Sequence, residues 1–168
     1  MHQDSYDEMQ RVLAKYLDSK LGYKVADIGS QLIVGLGLQK TYKDLMHPNW
    51  DYVGIDIVKG ENVDILMTPD NAIPLPDECK DVIISGQCLE HCKNPFILIK
   101  EMARITKCGG LIIMVSPFGQ GMHCNPDRWR FLPQGFEALF DSCEIESLET
   151  YLHGGKKWHD CWGVGKKP

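Results

Sequence analysis

Val25-Ala-Asp-Ile-Gly-Ser-Gln-Leu-Ile-Val-Gly-Leu-Gly37 reads as a short apolar strand running into a loop that carries Gly29, Gly35 and Gly37. Glycine tolerates positive φ and lets a backbone approach a ligand closely. A strand that ends in Asp-x-Gly before further glycines therefore shapes a pocket for an adenosine-containing cofactor. The spacing is not Gly-x-Gly-x-x-Gly, so the loop carries this reading only together with the acidic end of the next strand. Asp56 closes that apolar run, Tyr52-Val-Gly-Ile-Asp56, 19 residues past Gly37. That is close to the offset of about 20 residues at which an acidic side chain accepts ribose hydroxyls in dinucleotide-type folds.

Outward from this stretch, the chain alternates strand and helix. Met9, Val12, Leu13, Tyr16, Leu17 and Leu21 follow a helical period over Tyr6 to Leu21, with Asp4 or Ser5 as N-cap and Gly22 as the stop. Val25 to Ile28 is strand one, with the nearly continuous apolar character of a strand covered on both faces. Leu38, Tyr42, Leu45 and Met46 form a second short helical face that His47-Pro48-Asn49 ends. Tyr52 to Ile57, Val63 to Met67 and Asp81 to Ser85 are the next strands, and the three prolines between Thr68 and Asp77 exclude a regular helix there. Asn94-Pro95 opens a helix with inner face Phe96, Ile99, Met102 and Ala103, ending near Lys107 before Gly109-Gly110. Leu111 to Ser116 is strand five. The loop from Pro117 to Leu132 has a length that usually marks function in a compact domain. Pro133 to Phe140 is a helix, and Glu144 to Leu152 and Cys161 to Gly165 are closing strands joined by a turn at Gly154 to Lys157.

This alternation predicts an α/β fold, with a mostly parallel sheet, helices on both faces and ligands beyond the carboxyl ends of the strands. At 168 residues one domain accommodates it: an N-terminal helix in 1–22, a cofactor-binding half in 23–116, and a substrate-side loop, helix and closing strands in 117–168. Lysine plus arginine number 18 against 23 aspartate plus glutamate, a formal charge of −5 with the basic residues scattered, which argues against a nucleic-acid partner. Apolar runs such as Leu111 to Val115 fall far short of the roughly 18 residues of a membrane span, and the acidic, polar N-terminus is unlike a signal peptide. The expectation is a soluble, cytoplasmic protein. Its seven cysteines, odd in number and without a Cys-x-x-Cys pair, are read as reduced thiols.

From Tyr52 to Leu139 the sequence resembles the class I S-adenosylmethionine-dependent methyltransferases, in particular the group called methyltransferase type 11. The resemblance rests on Val53-Gly-Ile-Asp56, then Ile73-Pro-Leu-Pro-Asp77 leading into Asp81-Val-Ile-Ile-Ser85, then Leu89-Glu-His91 with Asn94-Pro95, and finally Glu101-Met-Ala-Arg-Ile-Thr-Lys-Cys-Gly-Gly110. It implies a Rossmann-like seven-stranded sheet with an antiparallel final strand, and S-adenosylmethionine as cofactor with S-adenosylhomocysteine as product. By the same resemblance Asp27, Gly29 and Ser30 lie beside the methionine part, Asp56 holds the ribose hydroxyls with Ile57 following it, Thr68 and Asp70 fall at the adenine, and Ser85 and Gln87 lie where the backbone passes the cofactor. Ser30-Gln31 stands in place of the family's second glycine, and Cys108 where the family commonly has proline.

A sulfonium cation is already a strong electrophile, so methyl transfer asks the protein mainly for alignment and exclusion of water. A hydroxyl or amine nucleophile still calls for a base, and His123 in the long loop and His91 after strand four are the candidates. Trp129 and Arg130, within Arg128-Trp129-Arg130-Phe131, either meet an anionic or planar substrate or anchor the loop. No metal is expected, because Cys88, His91 and Cys92 with His123-Cys124 match no common zinc spacing and Cys88 faces the core. The favoured function is methyl transfer to oxygen or nitrogen of a small-molecule or sugar-type acceptor, recognised by the N-terminal helix and the 117–132 loop or by a second subunit. A catalytically silent cofactor- or partner-binding module is the alternative. An NAD-linked oxidoreductase is disfavoured by the glycine spacing and by the lack of a second substrate domain.

Overall fold

The computed structural model describes residues 2–33, 38–119, 121–154 and 159–168. Its strands are β1 (Lys24–Ile28), β2 (Asp51–Asp56), β3 (Ile65–Leu66), β4 (Lys80–Gly86), β5 (Thr106–Pro117), β6 (Glu146–His153) and β7 (Asp160–Lys166). They form one seven-stranded sheet in the order β3-β2-β1-β4-β5-β7-β6. All pairings from β3 to β5 are parallel, and β7 runs antiparallel to both of its neighbours. The Rossmann-like α/β reading therefore holds, including the inverted closing strand.

Alternation along each strand assigns the two covers. Val25, Val82, Ile84, Ile113, Val115, Trp162 and Val164 point to one face, where α1 (Gln3–Tyr16) lays Tyr6, Met9, Val12 and Leu13 over them. Ala26, Ile28, Ile83, Ile112 and Met114 point to the other, under α2 (Pro95–Ile105) and α3 (Pro133–Asp141). With both faces covered, the inner strands carry apolar residues at consecutive positions. On β7 the glycines make room for α3: a Cβ at Gly163 would stand 2.8 Å from the Phe136 ring, and one at Gly165 2.8 Å from the Phe140 ring.

The structure corrects several element boundaries. α1 begins at Gln3 with His2 as N-cap, because the Ser5 hydroxyl is already hydrogen-bonded to Tyr42 Oη at 2.9 Å. It stops at Tyr16 rather than Leu21. The Asp18 carboxylate accepts from Lys20 N and its carbonyl accepts from Leu21 N, a local turn that competes with the helix and leaves Leu21 54% exposed. The expected second helix is a single 3-10 turn over Tyr42–Leu45, in which the Thr41 amide donates to the Asp44 side chain. β3 shrinks to two residues because Asp64 pairs with Gly54 through its carboxylate and amide instead of through a regular ladder. β2 ends at Asp56, whose Oδ1 accepts from Val58 N and turns the chain.

α2 is capped as expected, with Asn94 Oδ1 accepting from Phe96 N at 3.0 Å. Its inner face differs: Phe96 is 47% exposed, and Leu98 and Ile105 join Ile99 and Met102 in the core. The helix passes directly into β5 without a break at Gly109-Gly110. Thr106 pairs with Lys80, residues 107–110 bulge, and pairing resumes at Val82 with Leu111. Gly35 and Gly37 of the glycine loop, and residues 155–158 of the closing turn, lie outside the described residues. Among the described residues no helix is long and apolar enough to cross a membrane.

Candidate functional site

From β1 the chain moves outward to β2, whereas from β4 it moves the opposite way to β5, so the carboxyl ends of β1 and β4 diverge at a topological switch point. A crevice follows from the topology alone, and its walls are unusual stretches of backbone. Gly29 turns out of β1 at φ 82°, and the amides of Gly29 and Ser30 both donate to Ile55 O, at 2.8 and 3.2 Å. A Cβ at position 29 would stand 2.5 Å from Cys88 Cβ. Opposite, Gln87 adopts φ 56° without being glycine, donates its amide to Val115 O, and sends Nε2 to Asp160 Oδ1 at 3.1 Å.

Asp56 stands at the end of β2. Its Oδ2 accepts from Gln31 N and its Oδ1 from Val58 N, both at 3.2 Å, which fixes the carboxylate while each oxygen keeps a lone pair for another donor. Ile57 beside it is exposed. Thr68 and Asp70 are exposed in the turn after β3, where Thr68 Oγ1 accepts from Ala72 N. Ser30 and Ser85 point inward: the Ser30 hydroxyl donates to Asn62 O at 2.8 Å and the Ser85 hydroxyl to Ile28 O at 3.0 Å.

Asp27 is 2% exposed. Burial pushes its carboxyl up to about 7, against the pull of the Tyr52 hydroxyl, which donates to Oδ2 at 2.8 Å. Tyr52 in turn accepts from Asn62 Nδ2 at 2.9 Å. Tyr52, Tyr42 and Glu90 were read in the sequence as strand, helix and motif residues and not as part of the site, and Asn62 and Asp160 were not singled out. Asp160 is buried and sits 3.0 Å from His2 Nε2, linking the cap of α1, the start of β7 and the exit of β4. Tyr42 packs on Gly86, where any side chain would run into its ring. Apart from Tyr52 with Asn62, these pairs lie 25 residues or more apart in the chain, and no spacing signal joins them.

The 117–132 loop, which has no helix or further strand among its described residues after Pro117, is stitched to the 3-10 turn Leu89–His91 that follows β4. Arg128 N and Trp129 N donate to Glu90 O, Arg128 Nη1 to His91 O, and Trp129 Nε1 to Cys92 O. Arg130 clamps Asp127 with two hydrogen bonds of 2.5 and 2.7 Å and donates to Gly121 O and Trp129 O. That guanidinium holds the Asp127 carboxyl well below the usual range. Trp129 is 41% exposed and lines a cavity of about 270 Å³ with Met122, Asp127, Arg128 and Arg130, whereas Phe131 is buried against Phe136. A second cavity of about 230 Å³ lies between Leu32, Lys40, Lys43 and Asn62. Neither lining includes Gly29, Asp56 or Gln87.

His91 and His123, 32 residues apart, come together with ring centroids 5.2 Å apart. His91 Nδ1 bonds to Pro126 O at 2.5 Å, and His123 Nδ1 lies 3.2 Å from Asp127 Oδ2. Cys124 Sγ is 3.6 Å from His91 Nε2. Cys88 instead packs against the core. Glu90 is fully buried, accepts from Ser116 Oγ at 2.8 Å, and is pushed up by burial.

Sheet order, inverted β7 and the β1/β4 crevice together define a Rossmann-like α/β protein of the class I methyltransferase type. Residues 32–114, about half of the chain, match the family described as a methyltransferase domain. Over that stretch the chain carries a methyltransferase domain, and its fold is that of the class I S-adenosylmethionine-dependent methyltransferases. An uncharacterized methyltransferase of Mycobacterium bovis is 40% identical over 53 residues, covering 29% of this chain and 21% of that protein. The chain thus matches about a fifth of the length of that curated relative. Among solved structures, the 1,6-didemethyltoxoflavin N1-methyltransferase of Burkholderia thailandensis, determined with bound 1,6-didemethyltoxoflavin and S-adenosylhomocysteine, superposes with a TM-score of 0.73 at 12% identity, over 97% of this chain and 78% of that one. A putative methyltransferase of Bacillus halodurans gives 0.73 at 10% identity, over 99% and 100%. At such identities these likenesses speak for the fold.

Proposed function

We propose that the chain transfers a methyl group from S-adenosylmethionine to an oxygen or nitrogen of a small-molecule or sugar-type acceptor. The observation that carries this reading is the switch-point crevice, with Asp56 fixed at its edge by two backbone amides and one lone pair of each oxygen left over. Two vicinal ribose hydroxyls are suited to that pair of acceptors. Gly29, turning out of β1 at φ 82° with Cys88 where a Cβ would stand, puts the backbone of residues 29 and 30 beside the methionine part. Asp27 and Ser30 support this turn from behind, Ile57, Thr68 and Asp70 flank the adenine, and Gln87 with Ser85 forms the opposite wall.

The cofactor supplies an activated methyl carbon, so the protein's part is to align the acceptor and exclude water. The cavity beside Trp129 offers an aromatic face to a planar or sugar acceptor. Arg130 is committed to Asp127 and keeps the loop in place. His123, with Nδ1 turned to Asp127, presents Nε2 as the proton acceptor, and His91 stands beside it.

Thermal unfolding with S-adenosylhomocysteine, with NAD as control, tests the cofactor. At 100 times its dissociation constant a ligand stabilises by about 2.7 kcal/mol, a shift of roughly 5–10 °C for a domain of this size. A shift with NAD alone, or with neither ligand, overturns the reading. The second reading, a catalytically silent module, is favoured by Ser30, whose buried hydroxyl fills the place of the family's second glycine. Binding of S-adenosylhomocysteine without its formation from S-adenosylmethionine and any of a panel of hydroxyl and amine acceptors selects that reading.

A further inference from the structure

We propose that His91, His123 and Cys124 form a binding site for a zinc-type divalent cation, with three protein ligands and a fourth position left to water. One ligating atom from each residue lies within 4.8 Å of the others. The best-defined edge already has the dimensions of an occupied site. Bond lengths of about 2.3 Å to sulfur and 2.0–2.1 Å to nitrogen put the two atoms about 3.6 Å apart in a tetrahedron, and Cys124 Sγ stands 3.6 Å from His91 Nε2.

The surroundings select the ligating nitrogens. Both imidazoles use Nδ1 for a protein oxygen, His91 with Pro126 O and His123 with Asp127 Oδ2, which places each ring proton on Nδ1 and the lone pair on Nε2. A carbonyl or carboxylate behind a histidine is the usual outer partner of a metal-bound imidazole. Asp127 is itself held by Arg130 and by the His123 amide, so the outer partner is rigid.

A second observation points to a cation. Glu90 Oε1 is buried, accepts no hydrogen bond, and lies 3.5 Å from His91 Nε2. A lone pair and an unpartnered carboxylate oxygen face one another there, an arrangement that a positive charge between or beside them stabilises. Two nitrogens and a sulfur suit zinc or cobalt better than magnesium or calcium. Binding replaces the S–H bond of Cys124 with a metal–sulfur bond and releases one proton to solvent. An ion at this place occupies Nε2 of His123 and so withdraws that imidazole from service as a base.

The test is titration of chelator-stripped, reduced protein with cobalt(II) alone. The expected result is one equivalent bound, with near-ultraviolet thiolate-to-cobalt absorption and the intense visible bands of four-coordination. Cys124→Ser should abolish the near-ultraviolet band, and His123→Ala should weaken binding by about 10-fold or more. Cys108→Ser, which removes an exposed thiol elsewhere, should change neither. Binding well below one equivalent, or a band that survives Cys124→Ser, overturns the proposal. A measurement on the unmutated chain guards against a variant that fails to fold: zinc should slow alkylation of Cys124 and leave Cys108 unaffected, and equal rates with and without zinc likewise overturn it. None of these readouts needs the methyl donor, so failure here is distinct from failure of the cofactor reading.

Discussion

Gly29 and Cys88 touch across the floor of the crevice, so closely that position 29 has no room for a Cβ. Gly29 also holds φ 82°, where an L side chain is strained. Gly29→Ala should destabilise the fold by about 2 kcal/mol or more, read by urea unfolding. Cys88→Ala should not rescue it, because Cys88 Cβ is the nearest atom and alanine keeps it. Cys88→Gly should recover part of the loss, and additive effects of the two glycine-region changes would remove the contact as the cause.

Asp27 should give the protein an unusual pH dependence. Its ordinary value is 3.8 and the folded value is about 7, so over that interval the native state holds a proton that the unfolded chain has released. Stability from this group is complete below pH 3.8 and falls as pH rises to 7, with an upper bound of about 4 kcal/mol. Asp127 acts in the opposite sense, since its depressed value stabilises above the unfolded range and the benefit is lost in acid. In Asp27→Asn, which keeps an acceptor for Tyr52, the decline between about pH 4.5 and 7 should flatten. An unchanged slope in denaturation curves at the two pH values would take Asp27 out of the account.

Asp56→Ala should weaken S-adenosylhomocysteine binding by more than about 1 kcal/mol, roughly fivefold or more in dissociation constant by calorimetry. Loss of the Gln31 and Val58 amide contacts contributes to this figure, so Asp56→Asn is the sharper variant. It keeps one carbonyl oxygen but puts an NH2 against a donor, and should weaken binding too. Undiminished affinity in both variants removes Asp56 from the site.

Arg130→Ala leaves the buried Asp127 carboxylate without its bidentate partner. The expected outcome is a loss of about 1–3 kcal/mol and faster amide exchange confined to residues 121–131, measured by hydrogen–deuterium exchange. Exchange rising equally in β4 and β5 would mean that the clamp supports the whole domain rather than the loop.

The sheet was legible because its strands carry their own evidence. Val82-Ile-Ile and Leu111-Ile-Ile-Met-Val are apolar on both faces, and the Asn94-Pro95 cap marks the start of α2 without reference to anything distant. Boundaries failed where a side chain outside the element decided them: Tyr42 takes the Ser5 hydroxyl and moves the cap of α1 to His2, and Asp64 replaces a ladder bond of β3. At the site, residues at strand ends such as Gly29, Asp56 and Gln87 were readable, because strand order alone brings those ends together. His91 and His123-Cys124 were placed at the same end of the sheet but not in contact, and the bracing by Asp160 and the burial of Glu90 were not read. Each depends on a contact across a long stretch of chain made by a loop or an inverted strand, for which the sequence has no period. The spacing of His91, His123 and Cys124 was uninformative for the same reason, since the loop folds back on the exit of β4 and substitutes spatial for sequential proximity.

The place of β7 between β5 and β6 imposes an order on assembly. β6 precedes β7 in the chain, yet among the described residues β7 is its one strand partner, so β6 has no seat in the sheet until β7 arrives. Until then the edge of β5, Leu111 to Val115, is a bare apolar strand open to pairing with any extended chain. Asp160, which braces Gln87, comes with the same strand. The crevice wall therefore matures at the moment the aggregation-prone edge is closed, and a ligand that recognises the finished wall reports at once that the sheet is sealed.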